Sequence, residues 1–106
     1  MAIKKTKQTG KAVVIRAYSG VFFGFEVGRR KGEGSDSVDL VDQRQIWQWT
    51  SNGLAQKALT VGDIAIRGVG SGSKLSSAGP SATIADVKAT FECTPEALKV
   101  LRDFPV

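Results

Sequence analysis

The sequence predicts an α+β, mainly β domain: a curled or barrel-like antiparallel sheet of about five strands with two short helices. Three observations favour it. Segments rich in β-branched and aromatic residues recur between short turn signals. Twelve glycines and only three prolines suit many tight turns between short strands. A helix-start signal then precedes an amphipathic segment near residue 95.

The first two strands are predicted as a hairpin. Lys11–Tyr18 is rich in β-branched residues, Ser19–Gly20 supplies a turn, and Val21–Val27 returns as the second strand. The period of two places alternate residues of a strand on one face. On the second strand, the predicted core face carries Val21, Phe23, Phe25 and Val27.

The middle of the chain begins with a charged, glycine-punctuated tip at residues 29–37. A third strand is predicted at Val38–Val41, with Gln43–Trp49 as its candidate continuation. Gly53–Leu59, preceded by the capping residues Ser51 and Asn52, is predicted as a short helix with an apolar stripe. Asp63–Arg67 (DIAIR) is predicted as a short fourth strand.

Residues 68–81 are nearly all small and are interpreted as a flexible surface loop that does not pack. Ala82–Cys93 then alternates apolar and polar residues and is the clearest strand prediction. Thr94 is the predicted N-cap of a last helix, with Pro95 at its first position. The apolar stripe of that helix is formed by Ala97, Leu98, Leu101 and Phe104.

This organisation predicts one domain at residues 12–106 preceded by a basic arm at residues 1–11. No apolar run approaches the roughly 20 residues that a membrane helix needs, and the N-terminus does not resemble a secretory signal. Cys93 is the only cysteine, so no internal disulfide can form. We therefore expect no membrane association and a reducing location, the host cytoplasm or a particle assembled there.

The composition excludes several classes of enzyme. The chain has no histidine and one thiol, so Cys-His and Ser-His-Asp nucleophile systems and Cys/His zinc sites cannot form within one protomer. The glycine-rich stretch from Gly68 to Lys74 fails the phosphate-loop template because Ser73 replaces its second glycine and Leu75 its Ser/Thr. We therefore expect no catalytic residue, metal or cofactor, and a protein that is not an enzyme.

Positive charge is concentrated at the start of the chain. The formal net charge is +5 from 15 basic and 10 acidic residues, and residues 17–106 contain ten of each. The arm could bind phosphates of nucleic acid or a nucleotide, dock onto another protein, or remain a solvated tail. The five basic residues that precede the first acidic residue are Lys4, Lys5, Lys7, Lys11 and Arg16.

Two further groups are candidate binding residues. Arg29, Arg30 and Lys31 form a second cationic spot at the predicted hairpin tip, although such tips are often charged only because they are solvated. Trp47 and Trp49 share one face of the third strand. If exposed, they could stack on bases or anchor a protein interface; if buried, they are core residues whose indole N–H groups need partners.

Two motifs resemble an uncharacterised family of small bacteriophage and prophage proteins. The motifs are the hairpin Tyr18–Gly24 (YSGVFFG) and the strand Arg44–Trp49 (RQIWQW), followed by a late strand closing at Cys93-Thr94. The resemblance covers roughly residues 12 to 98. The Gly/Ser-rich segment 68–81 departs from the family, where relatives carry a more structured, proline-containing stretch. It implies a phage origin and no activity, cofactor or catalytic residue.

The leading hypothesis is a non-enzymatic phage accessory protein that acts by binding a host or defence component in the infected cell, with self-association expected. The first alternative is a virion component, such as a capsid-decorating or head accessory protein, with the arm ordered against the shell. The second alternative is a single-stranded nucleic-acid-binding protein that uses the arm and both tryptophans.

Overall fold

The computed structural model describes residues 10–32, 35–54 and 59–106. Five strands and two helices lie within these residues. Their bounds are β1 (Lys11–Ala17), β2 (Gly20–Lys31), β3 (Asp36–Gln48), α1 (Val61–Arg67), β4 (Lys74–Leu75), β5 (Ala82–Glu92) and α2 (Pro95–Asp103). The predicted helix at Gly53–Leu59 falls largely on residues 55–58, outside the described residues.

The strands form one antiparallel sheet that closes into a ring. The order is β2-β1-β5-β3-β4, and β2 also pairs with β3, so β1, β2, β3 and β5 form a closed circuit. Among the described strands, the short β4 pairs with the end of β3 alone, beyond the part that pairs with β5. The predicted fold class, mainly β with two short helices, is confirmed.

The predicted hairpin is confirmed, with Val14 opposite Phe23 in its register. The third strand is one continuous element, as the candidate continuation predicted. Its pairing with β2 shifts register around Asp42, whose φ of 50° lies in the left-handed region. Strands β2 and β3 also extend into the predicted tip, where Lys31 lies opposite Asp36.

Both faces of β2 are buried between Val21 and Phe25, so the prediction of a single core face was incomplete. Phe22 packs in a core formed by residues of the four ring strands, and Phe23 packs in a second core that includes residues of both helices. Val27, predicted to be buried, is 49% exposed. The ring core contains Val13, Ile15, Ala17, Phe22, Val38, Leu40 and Ile84. The helix-side core includes Val14, Phe23, Phe25, Ile46, Ile64, Leu75, Ala97 and Leu101.

The prediction of a strand at Asp63–Arg67 was wrong, because these residues lie in α1. Thr60 caps this helix: its hydroxyl accepts from the Asp63 amide at 3.2 Å, and the Asp63 carboxylate accepts from the Thr60 amide at 3.1 Å. Gly68 ends the helix with a φ of 83°, a conformation that favours glycine. The predicted last helix is confirmed as α2, with Thr94 as its N-cap.

The strand predicted at Ala82–Cys93 is present as β5, but part of its predicted alternation between apolar and polar faces was wrong. Ile84 is buried in the ring core, whereas Ala85, predicted on the apolar face, is exposed. Asp86 has a φ of 54°, and the pairing with β1 shifts register between Arg16 and Ala17. This irregularity moves Val87 to the same core as Ile84.

The prediction that segment 68–81 does not pack was also wrong. Val69 and Leu75 are buried in the helix-side core, and Lys74–Leu75 forms β4. Gly70 fits only without a side chain, since a Cβ there would collide with the backbone of Asn52. Small residues therefore allow close packing here.

Candidate binding surface

Only two of the five basic residues at the start of the chain lie in the described part, and these two do not form one patch. Lys4, Lys5 and Lys7 lie outside the described residues. Lys11 and Arg16 are exposed residues of β1, five positions apart. The period of two places them on opposite faces of that strand.

The cations of the hairpin tip lie beside carboxylates. Arg29 contacts Glu26 at 3.0 Å and Arg30 contacts Asp39 at 2.8 Å. Lys31 lies 3.8 Å from a third carboxylate, that of Asp36. Strands β2 and β3 therefore balance much of their own charge at this end of the ring.

Asp39 is the most connected of these carboxylates. It accepts two hydrogen bonds from the Arg30 guanidinium, at 2.8 and 2.9 Å, and one from the Thr83 hydroxyl at 2.6 Å. These bonds, the ones from Arg30 first, hold the pKa of Asp39 below its ordinary value. The tip is therefore an ordered ion-pair network that ties β3 to β2 and β5.

The two tryptophans have different environments. Trp49 is half-buried against the helix-side core, and its indole N–H donates to the Leu59 carbonyl at 3.2 Å. Trp47 is 66% exposed, although its neighbour Ile46 is buried. Trp47 is therefore a large aromatic side chain that the described fold leaves at the surface.

Trp47 lies between two hollows. The larger, which we name the Trp47 groove, has a volume of about 790 Å³. It is lined by Trp47, by residues 71–77 around β4 and by the tail Phe104–Val106 that follows α2. The smaller hollow, about 500 Å³, is lined by Gly20, Val21, Gln45, Ile46, Trp47 and Trp49.

One wall of the groove is held to β3 by hydrogen bonds beyond β4. The Ser76 amide donates to the Gln45 carbonyl at 2.9 Å, and the Gly79 amide donates to the Gln43 carbonyl at 2.8 Å. The Gln45 amide in turn donates to the Ser76 hydroxyl at 2.9 Å. Residues 74–79 therefore run beside β3 as an irregular extension of the sheet.

A buried guanidinium joins this wall to the end of α2. Arg44 is only 3% exposed. It donates to the carbonyls of Ser76 at 2.6 Å, Leu101 at 2.8 Å and Arg102 at 3.3 Å. Burial lowers the pKa of Arg44. No carboxylate lies within ion-pair distance of it in residues 10–32, 35–54 and 59–106.

A corner between residues 50–52 and 70–73 fixes the start of the same wall. The Gly70 amide donates to the Thr50 carbonyl at 2.8 Å, and the Thr50 hydroxyl donates to the Ser71 carbonyl at 2.6 Å. The Ser73 hydroxyl accepts from the Thr50 amide and donates to the Gly70 carbonyl. Main-chain bonds and the short hydroxyl side chains of Thr50 and Ser73 thus fix this corner of the groove wall.

The sequence singled out Trp47 but missed the rest of the groove. Lys74, Leu75 and the Phe104–Val106 tail belong to segments distant in sequence from Trp47, and only tertiary pairing brings them together. The one available signal was Leu75, a lone large apolar residue within a Gly/Ser-rich stretch. A buried position is a common reason for such a residue.

The surroundings of Cys93 keep its thiol unreactive. Burial, with a smaller contribution from Glu92, raises the pKa of the Cys93 thiol to about 12, so the thiol is protonated at neutral pH. Within the part of the chain that the structure describes, no three Cys, Asp or Glu side chains are placed to hold a metal ion.

The two helices of the described residues are too short to cross a membrane.

Comparisons with known proteins identify one relationship. A family model described as "Domain of unknown function (DUF6948)" matches residues 10–101. No curated protein matches the chain, and no solved structure matches it.

Proposed function

The chain belongs to the DUF6948 family, and we propose that it is a non-enzymatic bacteriophage accessory protein that acts by binding another protein through the Trp47 groove. The phage origin rests on the resemblance of the hairpin and double-tryptophan motifs described above. The leading form of the proposal is a contact with a host or defence component in the infected cell.

The exposure of Trp47 beside an apolar groove supports this proposal most strongly. Tryptophan is enriched among residues that dominate protein interfaces, because it buries a large apolar area when a partner covers it. The groove is built from the ends of β3, β4 and α2, which hydrogen bonds and the Arg44 guanidinium hold in place. A preformed surface of this kind loses little conformational entropy on binding.

Site-specific photo-cross-linking tests the proposal. A photoreactive amino acid replaces Trp47 in one variant and Lys88, an exposed residue of β5 outside the groove, in the control. We expect a discrete protein adduct in infected cells from position 47 and none from position 88. Excess wild-type protein should suppress the adduct, and excess Trp47→Ala protein should not. Equal labelling from both positions, or none, would contradict the proposal.

Trp47→Ala must also remain folded for this comparison. Because its side chain is 66% exposed, we expect the free energy of unfolding in urea to change by less than about 1 kcal/mol. A larger loss would mean that Trp47 is required for stability, and the competition result would then not support a binding role.

The virion alternative differs in where the protein is found. Mass spectrometry of purified particles distinguishes the two forms of the proposal. Stoichiometric presence in particles would replace the intracellular form with the virion form, and absence would remove the virion form.

The nucleic-acid alternative predicts a different salt response. Contacts with phosphates weaken steeply as salt rises, and base stacking on Trp47 would make binding sensitive to Trp47→Ala. The ion-paired state of Arg29 and Arg30 leaves fewer free cations for such binding. Single-strand binding at micromolar protein that Lys4/Lys5/Lys7/Lys11→Ala and Trp47→Ala both abolish would favour this alternative over the protein contact.

A further inference from the structure

We infer that the Trp47 groove takes an extended, acidic peptide segment of a partner protein, which adds as a strand to the outer edge of residues 74–77 and buries one large apolar side chain beside Trp47. This inference rests on the proposed function and specifies the chemistry of the partner.

The backbone of the groove wall has an open side. Strand β4 is the last strand in the sheet order, so within the described residues no strand pairs with its outer edge. Its inner side is occupied by β3. An extended peptide can satisfy an open edge of this kind through main-chain hydrogen bonds, while alternate side chains enter neighbouring pockets.

The lining of the groove favours an apolar anchor over a polar small molecule. Leu75 is buried at one wall, and Trp47 and Phe104 supply aromatic surface. Two of the lining hydroxyls donate to main-chain carbonyls within the wall: Ser73 to Gly70 at 2.8 Å and Ser76 to Ser77 at 3.1 Å. The groove therefore offers apolar contact and an open backbone edge.

Charge indicates that the segment is acidic. Lys74 is exposed and, among the described residues that line the groove, is the only one with an ionisable side chain. Behind the wall lies Arg44, whose positive charge meets only carbonyl oxygens in the described contacts. Both groups favour a carboxylate on the bound segment.

The same charges disfavour a second copy of this chain as the occupant. A two-fold pairing of the same edges would bring the two Lys74 side chains toward each other across the interface. Like charges directly opposite on paired strands are destabilising. An acidic segment of another protein has no such repulsion.

Matched synthetic peptides test the inference. Each is a fluorescein-labelled nine-residue peptide of alternating threonine and valine with a central phenylalanine. One version carries glutamate on both sides of the phenylalanine, and the other carries lysine there. Fluorescence anisotropy at about 0.15 M salt, where long-range charge effects are screened, measures the affinity of each peptide.

We expect the glutamate peptide to bind wild-type protein at least tenfold more tightly than the lysine peptide. Lys74→Glu should reverse this preference, whereas Lys88→Glu, which makes the same charge change outside the groove, should keep it. Trp47→Ala should weaken binding of the glutamate peptide at least tenfold. Equal affinities for the two peptides, or a preference that Lys88→Glu also reverses, would overturn the inference.

N-methylation of the peptide tests strand addition directly. Methyl groups on the amides of one edge should weaken binding at least tenfold, and methyl groups on the other edge should have little effect. Equal effects on both edges would contradict strand addition.

The cross-linking and peptide-binding results together distinguish failure of this inference from failure of the proposed function. If position 47 still gives the competed adduct in cells but neither peptide binds, the protein contact stands and the peptide mode is wrong. If light scattering shows a dimer that Trp47→Ala dissociates, the occupant is a second copy and the inference is overturned.

Discussion

Arg44 places a positive charge at the C-terminal end of α2, where its guanidinium donates to the carbonyls of Leu101 and Arg102. The last carbonyls of a helix have no partner within the helix and carry the negative end of its dipole. A third bond, to the Ser76 carbonyl, fixes the groove wall to the same side chain. One residue therefore satisfies three acceptors that belong to two separate segments.

Removing this guanidinium should destabilise the fold. Arg44→Ala leaves buried carbonyls without donors and creates a cavity, so we expect the free energy of unfolding to fall by about 2–4 kcal/mol. Urea denaturation monitored by far-UV circular dichroism measures the change. Arg16→Ala, at an exposed position of β1, is the control and should change it by less than about 0.5 kcal/mol. A loss of similar size in both variants would contradict the role given to Arg44.

Asp39 provides a second residue-level test because its pKa has an identified cause. Its folded-state pKa lies below the ordinary value of 3.8, chiefly because Arg30 donates to it. The ionised carboxylate therefore contributes stability above pH 3.8, and this contribution is lost as the pH falls through the folded-state pKa.

Carbon-detected NMR titration of the Asp39 carboxyl checks this assignment. Arg30→Gln should raise its pKa toward the ordinary value, and Thr83→Val should raise it by less, because the Arg30 bond is the larger cause. The matched substitution Arg102→Gln, which removes the neighbour of Asp103, should leave the Asp39 titration unchanged. An Asp39 pKa that stays low in Arg30→Gln would show that the bonds from Arg30 are not its main cause.

At the scale of elements, the sequence predicted the strands and helices that are marked by residues at their own ends. The hairpin and α2 carry turn or capping residues at their ends, and both are confirmed. The segment Asp63–Arg67 alternates as a strand does, yet Thr60 and Asp63 form a capping box that starts a helix. The three-residue spacing of Thr60 and Asp63 was the signal for this helix in the sequence. The capping box favours the helix because it gives hydrogen-bond partners to backbone amides at the helix start, which in a strand would need partners on a neighbouring strand.

Tertiary effects explain the other differences. Both faces of β2 are buried because the ring encloses one and the helices cover the other, and neither partner is visible in the alternation of β2 itself. In β5, the irregularity near Asp86 interrupts the period of two. The groove could be predicted only as far as Trp47, because its other walls depend on pairing between distant segments.

Thr94 joins the two helices and gives an element-level prediction. Its hydroxyl accepts from the Ala97 amide at 3.1 Å and donates to the Ile66 carbonyl near the end of α1 at 2.8 Å. Thr94→Ala should lower the free energy of unfolding by about 1–2 kcal/mol, as loss of an N-cap does. Thr94→Ser keeps the hydroxyl and should recover most of the loss in the same urea experiment. If Thr94→Ser is as destabilising as Thr94→Ala, the methyl group rather than the cap is responsible.

At the scale of the whole molecule, the two cores share the same strands. Val13 and Phe22 belong to the ring core, and their neighbours Val14 and Phe23 belong to the helix-side core. Separating the helices from the ring would expose the helix-side apolar face of β1 and β2 and so remove part of the packing that stabilises the strands of the ring core. The two cores are therefore expected to unfold together.

Chemical labelling of Cys93 tests whether the two cores unfold together, because this residue packs against the helix-side core between β5 and α2. Its pKa of about 12 and its burial should make the native protein react at least about a hundredfold more slowly with a thiol reagent at pH 8 than the urea-unfolded chain does. The opening free energy from labelling rates should match the free energy of unfolding from urea within about 1 kcal/mol. A much smaller opening free energy would show that the two helices detach while the ring stays folded. The Trp47 groove would then be lost together with the helices, because the residues that follow α2 form one of its walls.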